Sequence, residues 1–174
     1  MSTQLKKAVN TKDHVQGDSN ALIELVEYGD YQCPHCGHAY PIIKAVQEVL
    51  GDKLKFVFRN FPLTEVHPDA FNAAVAAEAA AFQNKFWEMH DSIFEHQRDL
   101  SWDALFSYAK ALGMDMDRFQ KDIQDTIAAA KVESDFESGV RSGVNGTPSF
   151  YINGKKYEGD WEAQPLLYYL QSLI

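Results

Sequence analysis

The stretch that decides the fold is residues 22–37, which reads LIELVEYGDYQCPHCG. Its apolar start predicts a β-strand over Leu22–Tyr28, and the pattern that follows predicts an amphipathic α-helix over Ala39–Leu50. The tetrapeptide CPHC, Cys33–Cys36, lies where the strand gives way to the helix. These are the only two cysteines among 174 residues. Because their spacing allows them to close a disulfide, we interpret them as a redox pair.

The start of an α-helix favours a negative charge, because its first N–H groups have no partner within the helix and the helix dipole is positive there. Cys33 lies at that position, so we expect its pKa to fall below the usual value of about 8.5. Pro34 suits the first helical turn, and a protonated His35 would add a second stabilising charge. Cys36, one turn further along, is expected to be more buried. We therefore predict that Cys33 is the nucleophile and Cys36 the resolving thiol.

Composition narrows the range of partners and locations. The formal net charge of −9 argues against nucleic acid and anionic membranes as partners. No apolar run approaches the 18 or more residues of a transmembrane helix. The polar segment Met1–Asn20 lacks the apolar core of a signal peptide, so we expect a cytoplasmic protein. Two cysteines exclude a structural disulfide framework, which fits a reducing compartment.

The remaining chain divides into a short strand, a long helical block and a second group of strands. Leu54–Phe61 predicts a strand parallel to the first. Residues 63–142 contain five amphipathic helical patterns and no strand pattern, so we expect an all-helical insertion. The five patterns cover Asp69–Phe82, Lys85–His96, Trp102–Leu112, Met116–Ile123 and Thr126–Arg141. Ser101 is a suitable N-cap for the third of them.

The C-terminal segment returns to strands. Asn153-Gly154 between Ser149–Ile152 and Lys155–Glu158 is a strong hairpin signal, and Asp160–Ile174 predicts a closing helix. The element order therefore predicts an α/β protein with a mixed sheet and helices on both faces.

Other side chains have simpler interpretations than catalysis. A structural zinc site needs four ligands, and the chain has one CxxC with no second pair, so we expect no metal. His14, His67, His90 and His96 are interpreted as surface or helix-capping residues. Tyr31 and Gln32 are expected to line the rim of the site. The aromatic residues of the insertion recur at helical spacing and are interpreted as core: Phe82, Phe86, Trp87, Phe94, Trp102 and Phe106.

The sequence resembles the thioredoxin superfamily and, within it, the DsbA-like proteins. The resemblance rests on four segments: VEYGDYQCPHC (Val26–Cys36), FRNFPL (Phe58–Leu63), KFWEMHDSIF (Lys85–Phe94) and GVNGTPSFYINGKKYEG (Gly143–Gly159). It implies a thioredoxin fold with an all-helical insertion. Residues 1–62 and 143–174 would form the thioredoxin-fold domain, and residues 63–142 the inserted helical domain.

The resemblance also implies a function and assigns roles to residues. It implies a thiol–disulfide oxidoreductase that acts on protein or peptide thiols, needs no cofactor and is recycled by a redox partner. Thr147-Pro148 matches the cis-proline element that binds the substrate backbone, although DsbA itself has Val in place of Thr147. Glu27 matches a buried acid that moves protons to and from the inner cysteine. Its position in an apolar strand supports this, because burial raises the pKa of a carboxylic acid.

The sequence leaves two questions about function open. The first concerns direction: the Pro-His dipeptide between the cysteines favours an oxidant, whereas a cytoplasmic location favours a reductase. The second concerns class, because the same residues would suit a DsbA-fold interaction or redox-sensing module without catalytic turnover.

Overall fold

The computed structural model describes residues 3–174 and contains a five-stranded sheet with helices on both faces. The strands are β1 (His14–Gly17), β2 (Ile23–Gly29), β3 (Leu54–Asn60), β4 (Ser149–Ile152) and β5 (Lys155–Tyr157). The helices are α1 (Pro34–Leu50), α2 (Ala70–Ala81), α3 (Phe86–Glu95), α4 (Trp102–Ala111), α5 (Met116–Gln124), α6 (Thr126–Ser142) and α7 (Ala163–Gln171). No helix within this range is both long enough and apolar enough to cross a bilayer.

The sheet is mixed, as predicted, and its strand order is β1-β3-β2-β4-β5. β2 pairs in parallel with β3, and α1 forms the crossover between them. β4 pairs antiparallel with the other edge of β2, which places Phe150 opposite Glu27. The β4–β5 hairpin turns at Asn153 and Gly154, whose φ angles of 49° and 83° are those that a tight turn requires. β2 is therefore the central strand, and the redox pair follows its end directly.

The five predicted helices of the insertion are present between β3 and β4 as α2–α6. The Ser101 side chain caps α4 by accepting a hydrogen bond from Ala104 N–H. Alanines on α2 allow close packing, and they share one continuous core with the apolar side chains of β2, β3 and α1. The division of the chain at residues 62/63 and 142/143 into two domains stays a prediction.

The opposite face of the sheet is covered by α6. Tyr28, Phe61 and Tyr151 form a second core there, and Phe136 of α6 stacks on Phe61. A Cβ atom at Gly139 would lie 2.7 Å from the Phe61 ring, so glycine allows α6 to approach the sheet this closely.

The edge strand β1, which is short and polar, was not predicted from the sequence. β1 is held beside β3 by Arg59, whose side chain is only 1% exposed. The Arg59 guanidinium donates to both carboxylate oxygens of Asp13 at 2.9 Å and to the Lys7 carbonyl at 2.8 Å. Burial opposes ionisation of Asp13, but the hydrogen bonds and charge of Arg59 hold its pKa below the usual value. The part of the polar N-terminal segment from Lys7 to Gly17 is thus part of the packed fold.

Several interpretations of single side chains were wrong. His90 is buried rather than on the surface, because six aromatic rings surround it and its Nδ1 contacts the Tyr31 hydroxyl at 2.9 Å. Tyr31 is itself buried in the core and does not line the rim. Phe82, expected in the core, is 39% exposed. His14 is half-buried and pairs with Glu78 at 2.9 Å.

Candidate active site

The two cysteines lie at the start of α1, as predicted. Cys33 immediately precedes the helix with an extended backbone (φ −69°, ψ 124°), and Pro34 begins it. Both are free thiols; 3% of Cys33 and 0% of Cys36 are exposed. The side chains of Pro34 and His35 are exposed beside them. Cys33 is therefore the outer sulfur and Cys36 the inner one.

The surroundings of Cys33 favour its thiolate. The pKa of Cys33 is lowered to about 5, and the largest cause is a hydrogen bond from the Cys36 thiol. Burial opposes this effect, but Thr147 and the backbone N–H groups of Cys36 and His35 lower the pKa of Cys33 further, because each can donate a hydrogen bond to the thiolate. The predicted role of the helix start is thus visible in the N–H groups that face Cys33. His35 contributes through its backbone.

The surroundings of Cys36 and Glu27 favour the neutral, protonated forms of these two side chains. Burial is the largest cause that raises the pKa of the Cys36 thiol, followed by the hydrogen bond that it gives to Cys33 and the charge of Glu27. Burial also raises the pKa of Glu27 to about 8, with a second contribution from the charge of Cys33. Among residues 3–174, no side-chain hydrogen bond offsets the burial of Glu27. Its carboxyl group borders a cavity of about 10 Å³ that it shares with His90.

Asp30 organises the segment before the helix, a role that was not predicted from the sequence. One carboxylate oxygen accepts the N–H groups of Gln32 (2.7 Å) and Cys33 (3.1 Å). The other accepts the N–H of Leu63 (2.8 Å) and contacts His67 Nδ1 (2.8 Å). The position of Asp30 three residues before Cys33, after a strand and a glycine, was the only available signal. Its partners at 63 and 67 lie too far along the chain to be inferred.

The predicted substrate-binding pair lies against the dithiol. The Thr147–Pro148 peptide bond is cis, and the Cys33 thiol donates to the Thr147 carbonyl at 3.6 Å. The Thr147 hydroxyl is buried at the same place and has no hydrogen-bond partner among residues 3–174, so it is available to donate to a Cys33 thiolate. The structure therefore brings together Cys33, Cys36, Thr147 and Pro148, with Glu27 beneath them.

No group of three or more histidine, cysteine or acidic side chains suited to hold a metal ion occurs within residues 3–174. His38, which follows the dithiol, pairs with Glu162 at 2.7 Å and contacts the Trp161 ring, and both of its partners lie at or next to the start of α7. The His38 side chain is thus held by Glu162 and Trp161, away from the dithiol.

A free dithiol at the start of a helix, beside a cis-proline and beneath a helical insertion, defines a thioredoxin-fold protein of the DsbA-like class. The sequence model of the Thioredoxin family matches residues 9–171, and the chain belongs to that family.

Solved structures share this architecture. BdbD from Bacillus subtilis superimposes with a TM-score of 0.83 over 99% of this chain and 96% of its own, at 24% identity. The thiol-disulfide exchange protein alpha-DsbA2 from Wolbachia pipientis superimposes with a TM-score of 0.78 over 95% of this chain and 89% of its own, at 25% identity. The predicted thioredoxin fold with a helical insertion is therefore confirmed.

Curated relatives are more similar in sequence but much longer. The protein named Na(+)/H(+) antiporter NhaA 1 from Mycobacterium sp. (strain KMS) is 42% identical over 165 residues, which are 92% of this chain and 27% of that protein. The chain thus spans about a quarter of the length of this relative.

The Thr147 hydroxyl is expected to contribute to the low pKa of Cys33. The isosteric variant Thr147→Val removes a hydrogen-bond donor to the thiolate, so the pKa of Cys33 should rise by about one unit. Thiolate absorbance measured against pH reports this value. Thr147→Ser keeps the hydroxyl and serves as the control; equal pKa values in the Val and Ser variants would contradict the assignment.

Glu27 is expected to make stability fall as pH rises. Its pKa of about 8 in the folded protein exceeds the unfolded value of 4.5, so the folded state holds a proton that the unfolded chain releases between these values. At neutral pH this difference disfavours folding by roughly 3 kcal/mol. Glu27→Gln should therefore be more stable than the wild type at pH 7 and equally stable below pH 4.5.

Chemical denaturation of both proteins across this pH range provides the test. The other groups titrate in both proteins, so the difference between them reports Glu27 together with its charge interaction with Cys33 and Cys36. A stability difference that stays constant with pH would show that Glu27 is not a buried acid with a raised pKa.

Proposed function

We propose that this protein exchanges disulfides with protein or peptide thiols through Cys33 and Cys36. One observation carries the proposal: an outer sulfur favoured as thiolate is in hydrogen-bond contact with an inner, buried thiol. The thiolate is the reactive form in thiol–disulfide exchange. A pair with opposite pKa shifts thus has one sulfur ready to attack and one ready to resolve.

In the oxidising direction, a substrate thiolate attacks the Cys33 sulfur of the closed pair. The Cys33–Cys36 bond breaks, a bond from Cys33 to the substrate sulfur forms, and Cys36 leaves as a thiolate that takes up a proton. The substrate's second thiolate then attacks the substrate sulfur bound to Cys33, which closes the substrate disulfide and releases Cys33 as thiolate. Two electrons pass from the substrate to the pair, and an unidentified redox partner removes them.

Glu27 is the proposed carrier of the Cys36 proton. The negative charge of Cys33 helps to keep Glu27 protonated. When Cys33 is bound in a mixed disulfide that charge disappears, so the pKa of Glu27 falls and its carboxylate becomes available. In the reducing direction the base therefore appears when Cys36 must lose its proton in order to attack. The small cavity beside Glu27 offers room for one water molecule on the route to solvent.

Thr147 and Pro148 are the proposed contact for the substrate backbone. They lie beside the outer sulfur, where a bound peptide would meet both the sulfur and the loop. The cytoplasmic location expected from the sequence stays a prediction.

The second candidate is a redox-sensing module that regulates a larger protein without turning over substrates. The length and name of the curated relatives favour it, because the chain spans 27% of a protein named as a Na(+)/H(+) antiporter. In this case the dithiol would close and open once per signal.

Turnover separates the two candidates. We expect the wild type to catalyse insulin reduction by a small dithiol and the refolding of reduced ribonuclease, Cys33→Ser to be inactive, and Cys36→Ser to accumulate mixed disulfides. The last result follows because the resolving thiol is missing. A wild type that is no faster than Cys33→Ser, although its Cys33 is alkylated at mildly acidic pH, would contradict the enzyme and favour the sensor.

Equilibration of the Cys33–Cys36 pair with glutathione measures its reduction potential, which indicates whether the protein oxidises or reduces its substrates. Because a stabilised Cys33 thiolate favours the reduced state, we expect a reduction potential above the value of about −270 mV for thioredoxin. A lower value would contradict the role of oxidant.

A further inference from the structure

The segment Asp30–Cys33, here called the dithiol loop, is held mainly by the part of the chain between β3 and β4. Leu63 and His67 contact the Asp30 carboxylate. The Gln32 side chain accepts the Asp69 N–H at 2.7 Å, next to the start of α2. Four residues of the insertion thus contact the loop, and the fourth of them is Gln97.

Gln97 follows the end of α3 and bridges two carbonyl groups of the dithiol loop. Its Nε2 donates to the Tyr31 carbonyl at 2.9 Å and to the Cys33 carbonyl at 2.7 Å. Both hydrogens of one amide group are therefore used on the loop. The Cys33 carbonyl also accepts the Gly37 N–H at 3.0 Å, which begins the hydrogen bonding of α1. Gln97 consequently holds the peptide group at which the loop becomes helix.

Gly37 leaves the space that Gln97 occupies. A Cβ atom at position 37 would overlap Gln97 Oε1 and lie 3.0 Å from Gln97 Cδ. Gly37 lies inside α1 and has no positive φ, so its backbone does not require glycine. Alanine is the better helix former at such a position. The glycine is therefore explained by the Gln97 side chain.

We propose that Gln97 is a positioning residue that keeps the Cys33 sulfur over the N–H groups of His35 and Cys36, and that Gly37 is small in order to admit it. The Cys33 carbonyl and the Cys33 side chain share one Cα, so a rotation of the peptide group also moves the sulfur. The insertion would thereby set the reactivity of the dithiol. This inference rests on the proposed function of Cys33 as nucleophile.

Loss of the bridge should raise the pKa of Cys33. For Gln97→Ala we expect a rise of about one unit, which lowers the alkylation rate about tenfold at a pH below the wild-type pKa. Gly37→Ala should have the same effect by displacing the Gln97 side chain. Thiolate absorbance and alkylation rate against pH measure both variants without any substrate protein.

A double-mutant cycle distinguishes positioning from a general loss of structure. In the Gln97→Ala background the clash at position 37 is gone, so Gly37→Ala should not change the Cys33 pKa further. Gln83 supplies the matched control, since it also exchanges two hydrogen bonds with backbone groups, both on Asp115, but within the insertion. Gln83→Ala should leave the pKa unchanged.

Three results would overturn the inference: additive shifts in the cycle, an unchanged pKa in Gln97→Ala, or an equal shift in Gln83→Ala. If Gln97→Ala does not fold, the Cys33 pKa measured in Gly37→Ala tests the proposal alone. This variant is expected to fold, because alanine favours the helix. Absence of turnover together with non-additive pKa shifts would refute the proposed function and leave the role of Gln97 intact.

Discussion

The geometry of the dithiol depends on how the Asp30 carboxylate holds the chain between β2 and α1. A strand that leads into a helix must reverse direction, and the N–H groups of the turn need other acceptors because they lie outside the hydrogen-bond ladders of both elements. Asp30 supplies an acceptor for Gln32 and Cys33 with one oxygen and for Leu63 with the other. The Asp30 N–H in turn points at the Cys36 sulfur at 3.4 Å. One buried side chain therefore connects the redox pair, the central strand and the entrance to the insertion.

Near Asp30, the three ionisable groups of the site, Cys33, Cys36 and Glu27, have pKa values that are shifted for different reasons. Cys33 is stabilised as an anion by hydrogen bonds, whereas burial dominates for Cys36 and Glu27. Since the charge of Cys33 acts on both buried groups, a change in the bonding of one sulfur changes the proton affinity of the other two. The site thus couples electron transfer to proton transfer without a metal or cofactor in the proposed mechanism.

Local patterns in the sequence were enough to predict the central strands, the insertion helices, the hairpin and the position of the cysteine pair at the start of α1. Each of these depends on residues a few positions apart. Strands and helices follow from the spacing of apolar residues, the hairpin from Asn153-Gly154, and the cysteine pair from the spacing in CPHC. What escaped prediction depends on contacts across long separations. Gln97 reaches Cys33 from 64 residues away, and Arg59 reaches Asp13 from 46 residues away. A polar side chain looks like surface in a sequence until its distant partner is known, and His90 was misjudged for the same reason.

The burial of Arg59 makes the unremarkable N-terminal residues indispensable. An expression boundary drawn at the first apolar run, near residue 22, would discard four of the five hydrogen bonds of this guanidinium, since they end on Lys7, Ala8 and Asp13. A buried charge left without its counter-ion costs about 3–5 kcal/mol, against a typical total stability of about 5–15 kcal/mol. A trimmed version would therefore be prone to unfold although every residue of the dithiol site was still present.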